Sequence, residues 1–302
     1  MLQCGWFCLH IGFDNLLFVG QPSYNHAFIN VTAGGYDFSF NRLTMRNETY
    51  GIWANNSSSG VGWGYSFNDI TFVNMNISAI KITSFSCTDV SLANCYAFNC
   101  GNSSANFAYY FYTVTGLTIA SCDDISSGPI NGGGYYICSC SGSAIGDRVE
   151  GNGTNGMTGN GFQVINSAFT ISGCYFLNAG NGGSSAFPVY ISTNSATSIM
   201  DCMFLGTKSY DDIVSAGDQN AHVTLMDNRY SAGSSPKWDN SGSFTGAANV
   251  TWVATGENGA PTQILVTLST QGYAWVGGVN ATGFYLYFST ATASGYWSAR
   301  YP

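Results

Sequence analysis

Acidic side chains are scarce in this 302-residue sequence. Sixteen Asp and Glu stand against eight Lys and Arg, and only 8% of residues are charged. The carboxylates that lie close together can therefore be enumerated. Asp147-Arg148-Val149-Glu150 places two carboxylates and a guanidinium in one short span. Asp211 and Asp212 precede an apolar run, with Lys208 and Asp218 nearby, and Asp123-Asp124 directly follow Cys122. Two chemistries need such groups. Glycoside hydrolysis uses a carboxyl pair about 5 to 9.5 Å apart. Elimination from a uronate uses a base beside a cation that neutralises the sugar carboxylate. Asp147, Glu150, Asp211 and Asp212 are the catalytic candidates. The structural alternative for each is a turn in which Asp accepts backbone N–H groups, and it suits Asp123-Asp124 best.

The run Phe107-Ala-Tyr-Tyr-Phe-Tyr112 is the densest aromatic stretch. As a strand it turns half of its rings outward. Tyr109, Tyr110 and Tyr112 are candidates for stacking on sugar rings, and outward rings can equally fill an interface between chains. The three histidines, His10, His26 and His222, have no metal-ligand spacing. No CxxC pair occurs among the ten cysteines, and the Gly-rich stretch 151–161 lacks the Gly-Lys-Ser/Thr of a phosphate loop. No metal or cofactor is expected. A net charge of −8 repels phosphate backbones, which argues against nucleic acid as a partner. No run of 18 apolar residues is present, which argues against a membrane-spanning helix.

The elements that would position these groups emerge from an internal repeat. The segments FSFNRLTM (38–45), ITFVNMNI (70–77), VSLANCYA (90–97), LTIASCDD (117–124), FTISGCYF (169–176), TSIMDCMF (197–204) and VTLMDNRY (223–230) share one pattern. Each reads apolar, any, apolar, two turn-forming residues, then an apolar or small residue. The sixth position gives Leu16, Leu43, Met75, Cys95, Cys122, Cys174, Cys202 and Asn228, separated by 27, 32, 20, 27, 52, 28 and 26 residues. The gap of 52 is two periods, which Val149 in a degraded copy, AIGDRVEG (144–151), divides. Further two-residue alternations precede most markers, as in Ile80-Lys-Ile82 and Val189-Tyr-Ile191.

Short alternating runs with Gly, Asn and Ser punctuation, repeating every 20 to 32 residues, predict an all-β fold: a parallel β-helix of about nine coils over residues 1–240. The crossover rule makes it right-handed. Leu43, Met75, Cys95, Cys122, Cys174 and Cys202 should then stack in one buried column, the cysteines as free thiols suited to a reducing cytosol.

Residues 241–302 read differently. Strand candidates at 248–254, 263–268, 274–279, 284–288 and 296–301 recur about every ten residues, which predicts a small antiparallel sandwich. After Asp239 only Glu257 and Arg300 carry side-chain charge, while Trp252, Tyr273, Trp275, Tyr285, Tyr287, Tyr296, Trp297 and Tyr301 are all aromatic. So apolar a surface predicts an interface, with Trp275, Tyr285, Tyr287 or Trp297 losing exposure to neighbouring chains.

The repeats, FTISGCYF (169–176) among them, and the terminal stretch ILVTLSTQGYAWVGGVNATGFYLYFSTATASGYWSARYP (264–302) resemble phage tailspike and receptor-binding proteins. The repeat is shared with pectin lyases; the terminal stretch, with its VTL, AWV, V-x-ATGF and W-x-AR elements, is similar to modules that end many phage tail proteins. The resemblance implies a homotrimer, a C-terminal domain for trimerisation or receptor contact, a place in the virion tail after assembly in the host cytoplasm, and binding of host surface polysaccharide, which many members also cleave. Such proteins usually carry an N-terminal docking domain, whereas this sequence enters its repeat near residue 5. That implies a separate virion tail adaptor or a longer chain. Three readings stay open: a glycan-binding spike, the same scaffold with depolymerase activity, and a passive β-helical fibre component.

Overall fold

The computed structural model describes residues 2–4, 8–21, 26–32, 35–55, 62–101, 105–125, 132–151, 157, 159–179, 186–192, 194–206, 213–215, 222–226, 228–230, 239–246, 250–254, 263–268, 274–280, 283–289 and 293–300. Among them there is no helix. The chain divides into two compact units, Met1–Ser234 and Ser235–Pro302.

The first unit is a parallel β-helix with three faces. Register follows one residue per coil. On the second face the column runs Phe13, Phe40, Phe67, Leu92, Ile119, Ala144, Ile171, Ile199, Leu225, which makes nine rungs. On the first face Ile29, Ile52, Ile80, Tyr109, Tyr135, Phe162 and Val189 succeed one another, and on the third Met45, Phe72, Ala97, Asp124, Val149, Phe176 and Phe204. Because parallel rungs lie about 4.8 Å apart, like side chains stack. Phe40 sits between Phe13 and Phe67 at 5.4 and 4.9 Å between ring centroids, and Tyr135 between Tyr109 and Phe162 at 4.9 and 4.3 Å. The strands Thr44–Ala54, Thr71–Ala93 and Phe107–Ala120 run unbroken round corners, so neighbouring faces join into one continuous sheet.

The corners explain the turn-rich dipeptides. Between the second and third faces each coil passes through one residue in the left-handed region: Asn15, Arg42, Asp69, Asn94, Ser121, Gly146, Gly173 and Asp201, with φ from 51° to 68°. Asn, Asp and Gly tolerate that conformation best. Its N–H donates to the next coil, as Asn94 does to the Ala120 carbonyl at 3.1 Å.

The residues after these corners form a column that is buried from Leu43 to Cys202, while Leu16 on the first coil is 42% exposed. That column is Leu16, Leu43, Ile70, Cys95, Cys122, Asp147, Cys174, Cys202 and Asn228, linked by rung-to-rung backbone bonds from Thr44 N–H to Leu16 O through Arg229 N–H to Cys202 O. It corrects the sequence reading in two places. Ile70, not Met75, is the third member, and Asp147, not Val149, stands between Cys122 and Cys174. Met75 is buried on the next corner, in register with Glu48. The corrected spacings are 27, 27, 25, 27, 25, 27, 28 and 26 residues, tighter than the assigned ones.

The column also has a polar logic. The N–H of each member faces the side chain of the next. Cys95 N–H donates to Cys122 Sγ at 3.4 Å, Cys122 N–H to Asp147 Oδ1 at 2.7 Å, and Cys202 N–H to Asn228 Oδ1 at 2.9 Å. A small side chain ending in an acceptor fits both the space and the orphan donor. The corner between the first and second faces repeats the device: Val114 N–H donates to Cys140 Sγ, Cys140 N–H to Ser167 Oγ and Ser167 N–H to Ser195 Oγ.

The second unit holds two three-stranded antiparallel sheets. Asp239–Gly246 and Gln263–Leu268 flank Ala293–Arg300, and Val250–Ala254 and Ala274–Asn280 flank Gly283–Phe288. Val253, Phe284, Leu286, Phe288 and Trp297 form the shared core. The strand Asp239–Gly246 is not among the strand candidates of the sequence. Its apolar content is low, and it is placed as an edge strand by pairing with Ala293–Arg300. Trp297 is buried against Phe284 within its own chain, whereas Tyr285 is 40% exposed.

Two outcomes follow. Phe40→Ala should cost about 3 to 5 kcal/mol in chemical denaturation, since it opens a fully buried gap in a continuous ring stack. The buried Cys87, Cys95, Cys100, Cys122, Cys138, Cys140, Cys174 and Cys202 are all free thiols, so titration of the denatured, unreduced chain should find at least eight.

Candidate functional site: carboxylates and rings on the third face

The outer side of the third face carries one register column: Tyr96, Asp123, Arg148 and Tyr175 on successive rungs. Strand alternation places Phe98, Ile125, Glu150 and Leu177 two residues on, forming a parallel column. All eight side chains are partly exposed. Glu150 forms an ion pair with Arg148, whose guanidinium lies 5.9 Å from the centre of the Tyr175 ring. The rings of Tyr96 and Phe98 are 6.3 Å apart and nearly parallel. One rung and two residues of strand separate Asp123 from Glu150, about 8 Å between Cα atoms. Side chains on such neighbouring positions can bring two carboxyl groups to the separation that glycoside hydrolysis uses. Partial burial pushes the Asp123 carboxyl up; Arg148 opposes the shift and Glu150 reinforces it.

The sequence candidates distribute as follows. Glu150 lies on this outer column. Asp147 does not join it, because the corner turns its side chain into the core, where it is fully buried. Its Oδ1 accepts the Cys122 N–H and its Oδ2 has no partner. Asp211 and Asp212 lie outside the described residues. The pair Asp123-Asp124 is divided by strand alternation: Asp123 faces out, and Asp124 occupies an inward position between Ala97 and Val149. Asp124 is fully buried with both oxygens unpartnered. Asp123 is thus the outward carboxylate of the pair that sequence reasoning assigned to turn capping. The signal for it was present in the alternation of Asp123-Asp-Ile125 beyond the corner.

The aromatic run divides in the same way. Tyr109 is a correction: its ring is buried between rungs, and its hydroxyl donates to the Asp123 carbonyl at 3.2 Å. Tyr110 and Tyr112 face outward on the first face, and Tyr112 is 43% exposed. The outward column there runs Asn30, Trp53, Lys81, Tyr110, Tyr136, Gln163 and Tyr190. Tyr110 stacks on Tyr136 at 4.4 Å and 7°. Among the described residues no group of three or more His, Cys, Asp or Glu side chains could hold a metal ion.

No family model matches the chain, and no curated protein matches it. Solved structures similar to it are phage tailspikes. The tailspike protein gp49 from Pseudomonas phage LKA1 is 15% identical with a TM-score of 0.35, over 97% of this chain and 63% of that one. The Acinetobacter baumannii phage AM24 tailspike protein is 10% identical with a TM-score of 0.39, over 95% and 68%. The gp54 tailspike of A. baumannii bacteriophage AP22, solved in complex with A. baumannii capsular saccharide, is 9% identical with a TM-score of 0.34, over 100% and 65%. This chain spans less than two thirds of the first of these. At such identities and scores, the description of the fold rests on the ladders of this chain alone.

The two inward carboxyls set a pH dependence. Burial pushes Asp147 up to about 7 and Asp124 well above the ordinary carboxylate range. A carboxyl that holds its proton more tightly folded than unfolded contributes stability in full below the unfolded value of about 4. That contribution is lost as pH rises through the folded value. Urea midpoints should therefore fall between pH 5 and pH 8. For Asp147 alone, the linkage amounts to roughly 4 kcal/mol at most. Asp147→Asn should remove part of that fall. Asn228, at the equivalent position, accepts the Cys202 N–H and donates to the Ile199 carbonyl, and the matching carbonyl below residue 147 is that of Ile119. Midpoints that rise with pH, or an Asp147→Asn protein with an unchanged slope, would contradict this account.

Proposed function

We propose that this chain is a tailspike-type protein of a phage tail. It binds host surface polysaccharide along its β-helix and cleaves it on the third face. The observation that carries the reading is the Tyr96–Asp123–Arg148–Tyr175 column with Glu150 beside it. There, two carboxylates and a cation lie on an outer face, bracketed by rings that can pack on sugars. The alternation and register that bury Phe72, Val149 and Phe176 leave this set outside.

The chemistry is hydrolysis. Asp123, whose carboxyl partial burial shifts upward, delivers a proton to the glycosidic oxygen as the C–O bond breaks. Glu150 takes a proton from the water that attacks the anomeric carbon, and proton exchange with solvent restores both groups. Arg148 positions Glu150 through their ion pair and presents a donor to a sugar hydroxyl or carboxylate. The C-terminal unit supplies association around a threefold axis, with exposed Tyr285 and Val279 as its contact residues. Attachment to the virion goes through a tail adaptor.

Reducing-sugar release from host capsular polysaccharide tests the reading. Asp123→Asn and Glu150→Gln should each lower the rate roughly 100-fold or more while leaving the polymer bound. Products with new absorbance of an unsaturated uronate would show elimination instead. Retention of the polymer without cleavage would reduce the role to binding. Light scattering of the full chain should give three chains per particle, and a stable monomer at micromolar concentration would remove the trimer.

A further inference from the structure

The first face holds a second constellation that the cleavage reading does not use. The strand segments on this face, 2–4, 27–31, 50–54, 78–83, 107–112, 133–138, 162–165, 189–192 and 213–215, contain one charged residue, Lys81. Rings surround that ammonium group. Nζ lies 5.1 Å from the centre of Tyr110, 5.4 Å from Tyr50 and 5.9 Å from Trp53. Trp53 and Tyr110 occupy the rungs on either side of Lys81, and the Tyr110–Tyr136 stack extends the aromatic wall one rung further. Among the described residues no carboxylate pairs with Lys81. Half-burial also pushes its pKa down, which marks an ammonium group partly stripped of water.

We propose that this nest is a binding site for an acidic saccharide, in which Lys81 takes the carboxylate of one sugar and the rings beside it carry the apolar faces of its neighbours. Rings hold a cation through their faces without neutralising it. A partly dehydrated cation then attracts an anion more strongly than one in bulk water. On a chain of net charge −8, a nine-rung face whose strand segments carry a single positive charge and no negative one selects an anionic ligand. A pyranose ring is about as long as one rung is tall, about 4.8 Å, so sugars running along the helix axis meet the rings in register. A second copy of this chain fits less well. If this face lay on a threefold axis, three Lys81 groups would converge with no carboxylate among them. The ligand class rests on the polysaccharide reading above; the position of the site does not.

Binding of the full chain to polygalacturonate, alginate, hyaluronate and polysialate, each beside its carboxyl-reduced form, tests the site. At least one carboxylated polymer should bind tenfold or more tightly than its reduced form, with affinity falling as salt rises. Lys81→Gln should erase that difference, Lys81→Arg should keep it, and neither should alter cleavage of a neutral host polymer. Equal binding of carboxylated and reduced polymers, or a Lys81→Gln protein that keeps the preference, would overturn the site while leaving the third-face reading intact. Loss of cleavage and of all polymer binding in the unaltered chain would instead overturn the general reading. Preference for polyglutamate over every polysaccharide would assign the nest to acidic peptides, and a change in particle mass on Lys81→Gln would assign it to a subunit contact; either result rejects the proposal.

Discussion

The parallel ladder is the constraint on which the rest of this structure depends. Once consecutive coils are held about 4.8 Å apart by backbone hydrogen bonds, every side chain inherits its neighbours from the residues one period away. A favourable stack is then extended coil by coil, as in Phe13–Phe40–Phe67 and Tyr109–Tyr135–Phe162. An unfavourable residue is trapped in the same way. Asp124 has Ala97 and Val149 on adjacent rungs and no partner for either oxygen. Its only inexpensive state there is the protonated one.

The corner column shows why the repeat was legible but its phase was not fully so. Left-handed residues at Asn94, Ser121 and Gly173 announce the corners, and the small cysteines after them are a visible mark. At Ile70 the same position holds a large apolar residue, and the strand Thr71–Ala93 runs past the next corner without punctuation, so the pattern drifts to Met75. At Asp147 the position holds a carboxylate, which a search for apolar or small residues rejects in favour of Val149. From Cys122 onward the position supplies an acceptor for the preceding N–H group. Cys, Asp and Asn all supply one, and hydrophobicity is incidental. A reading by hydrogen-bond demand rather than by polarity would have found Asp147 and would have withdrawn it from the catalytic candidates.

Alternation decides the functional residues just as sharply. In Asp123-Asp124 and in Tyr109-Tyr110, adjacent residues of one chemical type serve opposite purposes, one building the core and the other the surface. Sequence spacing identified both pairs as chemically interesting. It could not say which member faced out, because that depends on the register of one corner. The all-β architecture, the nine rungs and the antiparallel character of the terminal strands were legible from punctuation and period. The edge strand Asp239–Gly246 was not, since its polar sequence, DNSGSFTG, offers no burial pattern and its place comes from pairing with Ala293–Arg300.

The scarcity of charge gives each charged group on the helix unusual weight. A surface rich in Lys and Glu would pair Lys81 or Asp123 with the nearest opposite charge and leave little net field. On the first face the field near Lys81 is that of one cation, and on the third the field near Glu150 combines the Arg148 ion pair with the Asp123 carboxylate. Few screening charges within a Debye length of about 8 to 10 Å let a small number of residues define where an anionic ligand can settle and where a proton can be moved. The two faces differ in kind. The third combines both signs with rings. The first combines rings with one positive charge.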